Sequence, residues 1–229
     1  MTRYLIINAD DFGYAQGVNR GIVAAYEHGV VLSTSLMVDM PMAEEAAHLA
    51  RRHTGLGVGL HFTATNQAGP LFDLSDITMV TKELQRQYRR CCDLFGRPPT
   101  HLDSHHHVHL RQELKPFFID WAGERSLHLR DTGGARYNGA FYGQWYDAEW
   151  NFHFAPDFIS IENLEKILRK LPDGVTELAC HPAYLTGDLD SSYATEREIE
   201  LATLLNPRVG ELVSELDITL GNFATLPRR

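Results

Sequence analysis

Cysteine, positive charge and continuous apolar sequence are all scarce in this 229-residue chain, and each scarcity removes a class of protein. The three cysteines are Cys91, Cys92 and Cys180, an odd count in which two are adjacent and poorly placed to bridge each other. A disulfide framework is therefore not expected, and a reducing compartment is. Lys and Arg number 21 against 30 Asp and Glu, a formal charge of −9 that would repel a phosphate backbone or an anionic membrane surface. Arg86, Arg89 and Arg90 read as the wet face of a helix rather than a basic patch, so no nucleic-acid partner is expected. No run reaches the roughly 18 apolar residues of a membrane span. The apolar stretch after Met1-Thr2-Arg3-Tyr4 is also too short for a signal peptide, and the expectation is a cytoplasmic protein without a membrane partner. Repeats and low-complexity linkers are missing as well, so residues 1–229 are read as one domain.

What is present is an ordinary globular composition, 44% hydrophobic and 22% charged. Short apolar runs alternate with segments of helical period, which argues for repeated βα units around a parallel sheet and an α/β fold. The pattern predicts strands over 4–8, 32–38, 57–62, 101–105, 127–130, 177–180 and 218–220. It predicts a first helix with Val18, Ile22, Ala25 and Tyr26 on one face, ended by Gly29. Further helices are expected over 43–52, 80–95, 112–124 despite Pro116, 162–171 and 195–205. Residues 133–158, rich in glycine and aromatics, have no clean period; loops of that length are usually functional, and a substrate wall is expected there. Tyr142, Trp145, Tyr146 and Trp150 suit stacking on a substrate ring, and equally a core or an interface.

The run Thr100-His101-Leu102-Asp103-Ser104-His105-His106-His107-Val108-His109 is too dense in imidazole to be explained by packing. Asn8-Ala9-Asp10-Asp11-Phe12-Gly13 adds two adjacent carboxylates at the end of an apolar run. In this reading Asp10, Asp11, His61, His105 and His181 all fall at or just past strand ends, where a parallel barrel gathers its loops into one site. Two imidazoles and a carboxylate can hold a divalent ion and leave positions open for water and substrate. Strand alternation puts His101, Asp103 and His105 on one face, so only some of the histidines can share an ion; His105 is favoured as ligand. Asp103 is suited to accept a ring proton and fix a tautomer. Blander readings stand beside each motif: His61 as a packed core histidine, Asp10-Asp11 as a turn and helix cap, the histidine run as a solvated loop. The coincidence of all four segments outweighs them. Asp11-Phe12-Gly13 matches a kinase tripeptide, but none of that family's other motifs accompanies it.

These segments, with Gly59-Leu60-His61-Phe62 and Cys180-His181-Pro182-Ala183 in the same order, resemble the YdjC-like carbohydrate deacetylases. The resemblance spans most of the chain and implies a distorted (β/α) barrel of the glycoside hydrolase/deacetylase type. It implies one divalent metal ion, Mg2+ or Zn2+, held by Asp11, His61 and His105. Asp10 would be the general base, His181 the general acid and Arg130 a substrate contact. The implied activity is removal of an N-acetyl group from a small carbohydrate, by a chain that can form a homodimer. The short segment 63–79 and the poorly matching 133–158 depart from the family pattern. Two other readings remain: another metal-dependent amidohydrolase or phosphoesterase on a similar barrel, suggested by His107-Val108-His109, and a non-catalytic sugar or metal binder. In amidohydrolases such a His-x-His usually belongs to the first strand, whereas here it follows the fourth. A binder has no need of a base and an acid beside an open ion.

Overall fold

The computed structural model describes residues 2–149 and 151–226. Strand and helix alternate from the start: β1 (Arg3–Phe12), α1 (Gln16–His28), β2 (Ser33–Leu36), α2 (Ala43–Arg52) and β3 (Gly57–Phe62). A small hairpin, β4 (Thr65–Asn66) and β5 (Gly69–Pro70), precedes α3 (Ile77–Phe95), β6 (His101–Ser104), α4 (Lys115–Gly123) and β7 (His128–Leu129). Then come β8 (Arg136–Asn138), the hairpin of β9 (Gln144–Tyr146) and β10 (Phe152–Phe154), α5 (Ile161–Arg169) and β11 (Gly174–Cys180). The remaining elements are α6 (Ala194–Leu204), α7 (Pro207–Glu215) and β12 (Ile218–Leu220).

Seven strands follow one another in the order β7-β6-β3-β2-β1-β11-β8, with β12 as an eighth off that path, every pairing parallel. β12 pairs with Arg3–Leu5 of β1 on the edge that β2 takes up from Asn8 onward. Among the described residues the outermost strands β7 and β8 do not pair with each other, so the sheet curls into a half-barrel wrapped by helices. This is the architecture implied by the resemblance. No helix of the described residues is long and apolar enough to cross a membrane.

The strands separate two environments. Leu5, Ile7, Ala9, Val58, Leu60, Phe62, Leu102 and Leu178 alternate outward and join the helices in one apolar cluster. Asn8, Asp10, Ser33, Ser35, His61, His101, Asp103 and Glu177 alternate inward and are buried too. The usual filling of such a barrel is layered aliphatic side chains. Here, among the described residues, Ile6, Ala135 and Phe223 form a small apolar plug with Val175 and Leu226 packed against it, and His101 stacks on Phe223 with ring centroids 4.1 Å apart. Gly59 makes that stack possible, since a Cβ there would lie 2.4 Å from the His101 ring.

Local signals explain several helix ends. α3 buries Val80, Leu84, Gln87 and Cys91 on one face; Asp76 caps its start by accepting from Thr78 and Met79, and Gly96 ends it at φ 68°. The helix expected over 112–124 begins only at Lys115, because Pro116 occupies the first turn, where its missing N–H costs nothing. α7 was not foreseen, although Asn206 caps it, Pro207 opens it and Val209, Leu212 and Val213 give it a buried face. Residues 133–158 contain three short strands rather than an unstructured loop. Their lack of period reflects brevity, since three residues complete no alternation.

His101 and His109 are fully buried. Burial pushes both down to about 3, against neighbouring charges that include Asp103. Both therefore stay neutral in the fold while the unfolded chain takes up their protons below its ordinary value near 6.5. Their contribution to stability is complete above that pH and is lost as pH falls from there toward 3, at up to about 1.4 kcal/mol per pH unit for each group. Unfolding free energies measured from pH 7 to 4 should show a slope smaller by about one proton in His101→Gln than in the parent; equal slopes would contradict the assignment.

Candidate metal centre and catalytic pocket

Two consecutive residues of a regular strand face opposite ways, yet Asp10 and Asp11 line the same cavity. The pairing of β1 with β2 slips between Ala9 and Phe12, and Asp11 takes φ 69°. This bulge turns both carboxylates to one side. The segment is thus strand throughout, not the turn and helix cap that Asp residues often make.

The histidine run is dispersed rather than shared. β6 stops at Ser104, so His105 stands just past the strand and not within it as expected. His106 and His107 both adopt φ 52°, which bends the chain sharply. Ser104 Oγ accepts from the His109 backbone N–H at 3.0 Å and bonds its Nδ1 at 2.6 Å, pulling His109 back into the core. His105, His106 and His107 are left on the cavity wall, while His101 lies beneath the floor.

Asp11, His61 and His105 offer one donor atom each within 4.8 Å of one another. Asp11 Oδ1 is 3.3 Å from His61 Nε2 and 3.2 Å from His105 Nδ1, and has no hydrogen-bond partner among the described residues. A buried carboxylate oxygen aimed between two imidazole nitrogens fits a divalent cation, and two imidazoles with one carboxylate suit Zn2+ better than Mg2+. The opposite nitrogen of His61, Nδ1, bonds Asp103 Oδ1 at 2.7 Å, which fixes the tautomer with Nε2 free to ligate. Burial lowers the His61 pKa, but Asp103, Asp11 and Asp10 together push it up to about 10. An ion at the cluster would take the place of that proton.

Below the cavity floor lies Arg130, with its side chain 0% exposed. Its Nη1 and Nη2 donate to Asp10 Oδ2 and Oδ1, both at 2.7 Å; Nη2 also pairs with Asp103 Oδ2 at 2.8 Å, and Nε donates to Glu177 Oε1 at 2.7 Å. Sequence reasoning placed Arg130 against substrate; the structure places it behind Asp10, outside the residues lining the cavity. Burial would raise the Asp10 pKa, but Arg130 outweighs it and holds the carboxyl below its ordinary value. Glu177, less well paired, is pushed by burial up to about 7.

His181 follows β11, with its Nε2 4.0 Å from Asp10 Oδ2 and its Nδ1 3.7 Å from Glu200 Oε1. The backbone N–H of His181 donates to Glu200 Oε2, and Tyr193 Oη donates to Glu200 Oε1 at 2.6 Å. Burial lowers the His181 pKa, yet the Glu200 carboxylate, helped by Asp10 and Asp11, raises it above its ordinary value. One turn earlier on α6, Arg197 donates to Asp11 Oδ2 at 2.5 Å. Sequence reading missed Glu200 and Arg197, because charged residues three apart on a helix are ordinary surface pattern. Their burial alone distinguishes them.

The cavity has a volume of about 700 Å3 and an aromatic wall that includes Tyr137, Phe141, Tyr142 and Tyr146, all from 133–158. Of the aromatics singled out from sequence, Tyr142 and Tyr146 line it. Trp145 stacks on His153 at 4.3 Å and lies outside the lining, and Trp150 lies outside the described residues.

Comparison with known proteins gives a consistent picture. The family model described as YdjC-like protein matches residues 4–215. A chitooligosaccharide deacetylase of Serratia marcescens is 35% identical over an alignment 265 positions long, gaps included, covering 99% of this chain and 100% of that protein. A carbohydrate deacetylase of Geobacillus stearothermophilus is 37% identical over an alignment of 246 positions, covering 96% of each. Among solved structures, an Enterococcus faecalis V583 protein provisionally described as a cellobiose-phosphate cleavage protein superposes with a TM-score of 0.74 at 27% identity, covering 97% of this chain and 98% of that one. A family 4 carbohydrate esterase from Streptomyces lividans, at 13% identity and TM-score 0.57, covering 96% and 92%, shares the fold.

Removing the guanidinium at 130 would leave Asp10 and Glu177 buried without their nearest cation and Asp103 with His61 as its remaining partner. Arg130→Met should lower unfolding free energy by about 3–5 kcal/mol, measured by urea titration. A loss under about 1 kcal/mol would show that the carboxylates do not depend on it.

Proposed function

The chain belongs to the YdjC-like family, and from that membership we propose that it hydrolyses the N-acetyl group of an amino sugar or a short N-acetylglucosamine oligosaccharide, releasing acetate. The observation that carries this reading is the placement of a carboxylate and a raised-pKa imidazole, Asp10 and His181, beside the Asp11, His61 and His105 cluster in one cavity. The names of the Serratia and Geobacillus relatives supply the substrate class.

Asp11, His61 and His105 would hold the ion. When bound, a divalent cation there would polarise the amide carbonyl and acidify a water molecule. Asp10 takes the proton of the attacking water; its pairing with Arg130 keeps it ionised and fixes its carboxylate at the cavity floor. His181, kept protonated through Glu200, donates to the departing nitrogen, which must leave as an amine because an amide anion is a very poor leaving group. Asp10 has then gained one proton and His181 has lost one, and exchange with water restores both. The aromatic wall offers flat faces to the apolar side of a sugar ring.

Proton NMR of metal-reconstituted protein with N-acetylglucosamine, diacetylchitobiose and longer oligomers should show acetate release. Asp10→Asn should retain metal and lose about 100-fold or more in rate, whereas His105→Ala should lose the metal itself. Equal metal loss in the two would remove the distinction between base and ligand, and no acetate from any sugar with metal bound would sink the activity.

The acid must be protonated to work, and a raised His181 pKa extends activity to higher pH. Replacing Glu200 by Gln removes the charge that raises it, so the alkaline limb of the kcat profile should move to lower pH. An unmoved limb would exclude His181 as the group that limits it.

A further inference from the structure

Asp11 sits where the strand ladder does not hold it. It occupies the slip in the β1–β2 register at φ 69°, a conformation that non-glycine residues seldom adopt without support from elsewhere. Its carboxylate has two equivalent oxygens, and only Oδ1 faces His61 and His105. Oδ2 is taken by Arg197 Nη2 at 2.5 Å. The guanidinium carbon of Arg197 lies 6.0 Å from the centroid of the Tyr14 ring and 5.9 Å from that of Tyr193, and the residue is 4% exposed. Its Nε and Nη1 are buried without a hydrogen-bond partner among the described residues. A guanidinium kept solely for structural pairing would use more of its donors; retaining buried, unpaired ones for a single contact asks for another explanation.

We infer that Arg197 is a positioning residue for the cation site: it pins Oδ2 of Asp11 so that Oδ1 alone is presented between the two imidazoles. The inference rests on the metal-dependent reading above. Two effects of Arg197 oppose each other. Its charge repels a cation, which would weaken binding, and its grip removes the rotational freedom of the ligand, which strengthens it. The structure favours the second. The charge of Arg197 is already paired with Asp11 through the 2.5 Å contact at Oδ2, and among the described residues no other side chain bonds that oxygen.

The test is Zn2+ affinity, measured by competition with a chromophoric chelator, for the parent, Arg197→Lys, Arg197→Gln and His105→Ala. Arg197→Lys keeps the charge but loses the planar fork, and Arg197→Gln loses the charge. Both should bind about 10–100-fold more weakly, as loss of a group orienting a metal ligand does. The Zn2+ concentration giving half-maximal acetate release should rise by the same factor. Tyr14→Leu, which opens one side of the clamp without leaving a buried carboxylate unpaired, should weaken binding in the same direction and covers the case in which a 197 variant fails to fold. Affinity of Arg197→Lys within about twofold of the parent, or tighter binding by Arg197→Gln, overturns the inference while the parent still binds and His105→Ala does not. A parent that binds no Zn2+ overturns the metal-dependent reading, and this inference with it.

Discussion

A single buried guanidinium, that of Arg130, holds the interior of this half-barrel together. It stands among three carboxylates, Asp10, Asp103 and Glu177, all buried. Burying one unpaired charge is costly, and burying three without a counter-ion would drive the group to neutrality instead. Arg130 changes that balance unequally. Asp10 and Asp103 are held below their ordinary values, while Glu177 is pushed up to about 7. Ionised Asp103 then accepts from His61 Nδ1 and leaves Nε2 facing Asp11. The orientation of the candidate cation ligand is therefore set two contacts away, beneath the floor.

The strands divide the labour between their faces. Outward residues such as Leu60, Phe62 and Leu178 pack under the helices and supply the hydrophobic stabilisation. That frees the inward face to carry groups that contribute little net stability but a defined electrostatic arrangement. Helix α6 completes it from outside the sheet. Arg197 and Glu200, one turn apart, contact Asp11 and His181, so one helix bears on both the candidate cation cluster and the candidate acid. The same helix contributes Glu196, which accepts from Gln144 at 2.6 Å, and so joins the aromatic wall to the site.

Much of this was legible in the sequence. The alternation of apolar runs with helical periods specified a parallel α/β sheet, and the ordered motifs around Asp10, His61, His105 and His181 specified which strand ends meet. The limits of individual elements were less legible where short-range signals conflicted. Pro116 delayed α4 to Lys115, and the strand expected to reach His105 stopped at Ser104, where the serine hydroxyl draws His109 back.

What the sequence determined by itself is the chemistry available: which imidazoles and carboxylates exist, and that they lie at the ends of buried strands. Only the tertiary structure decided how they are used. Arg130 reads in sequence as one arginine after a short strand, and its burial behind Asp10 depends on β1, β6, β7 and β11 being adjacent in the sheet. Arg197 and Glu200 read as surface charges on a helix, and their contacts with Asp11 and His181 span 186 and 19 residues. Hydrophobic period is a local property of the chain and can be read along it. Compensation of buried charge is settled between distant segments, and it exists only once the chain has folded.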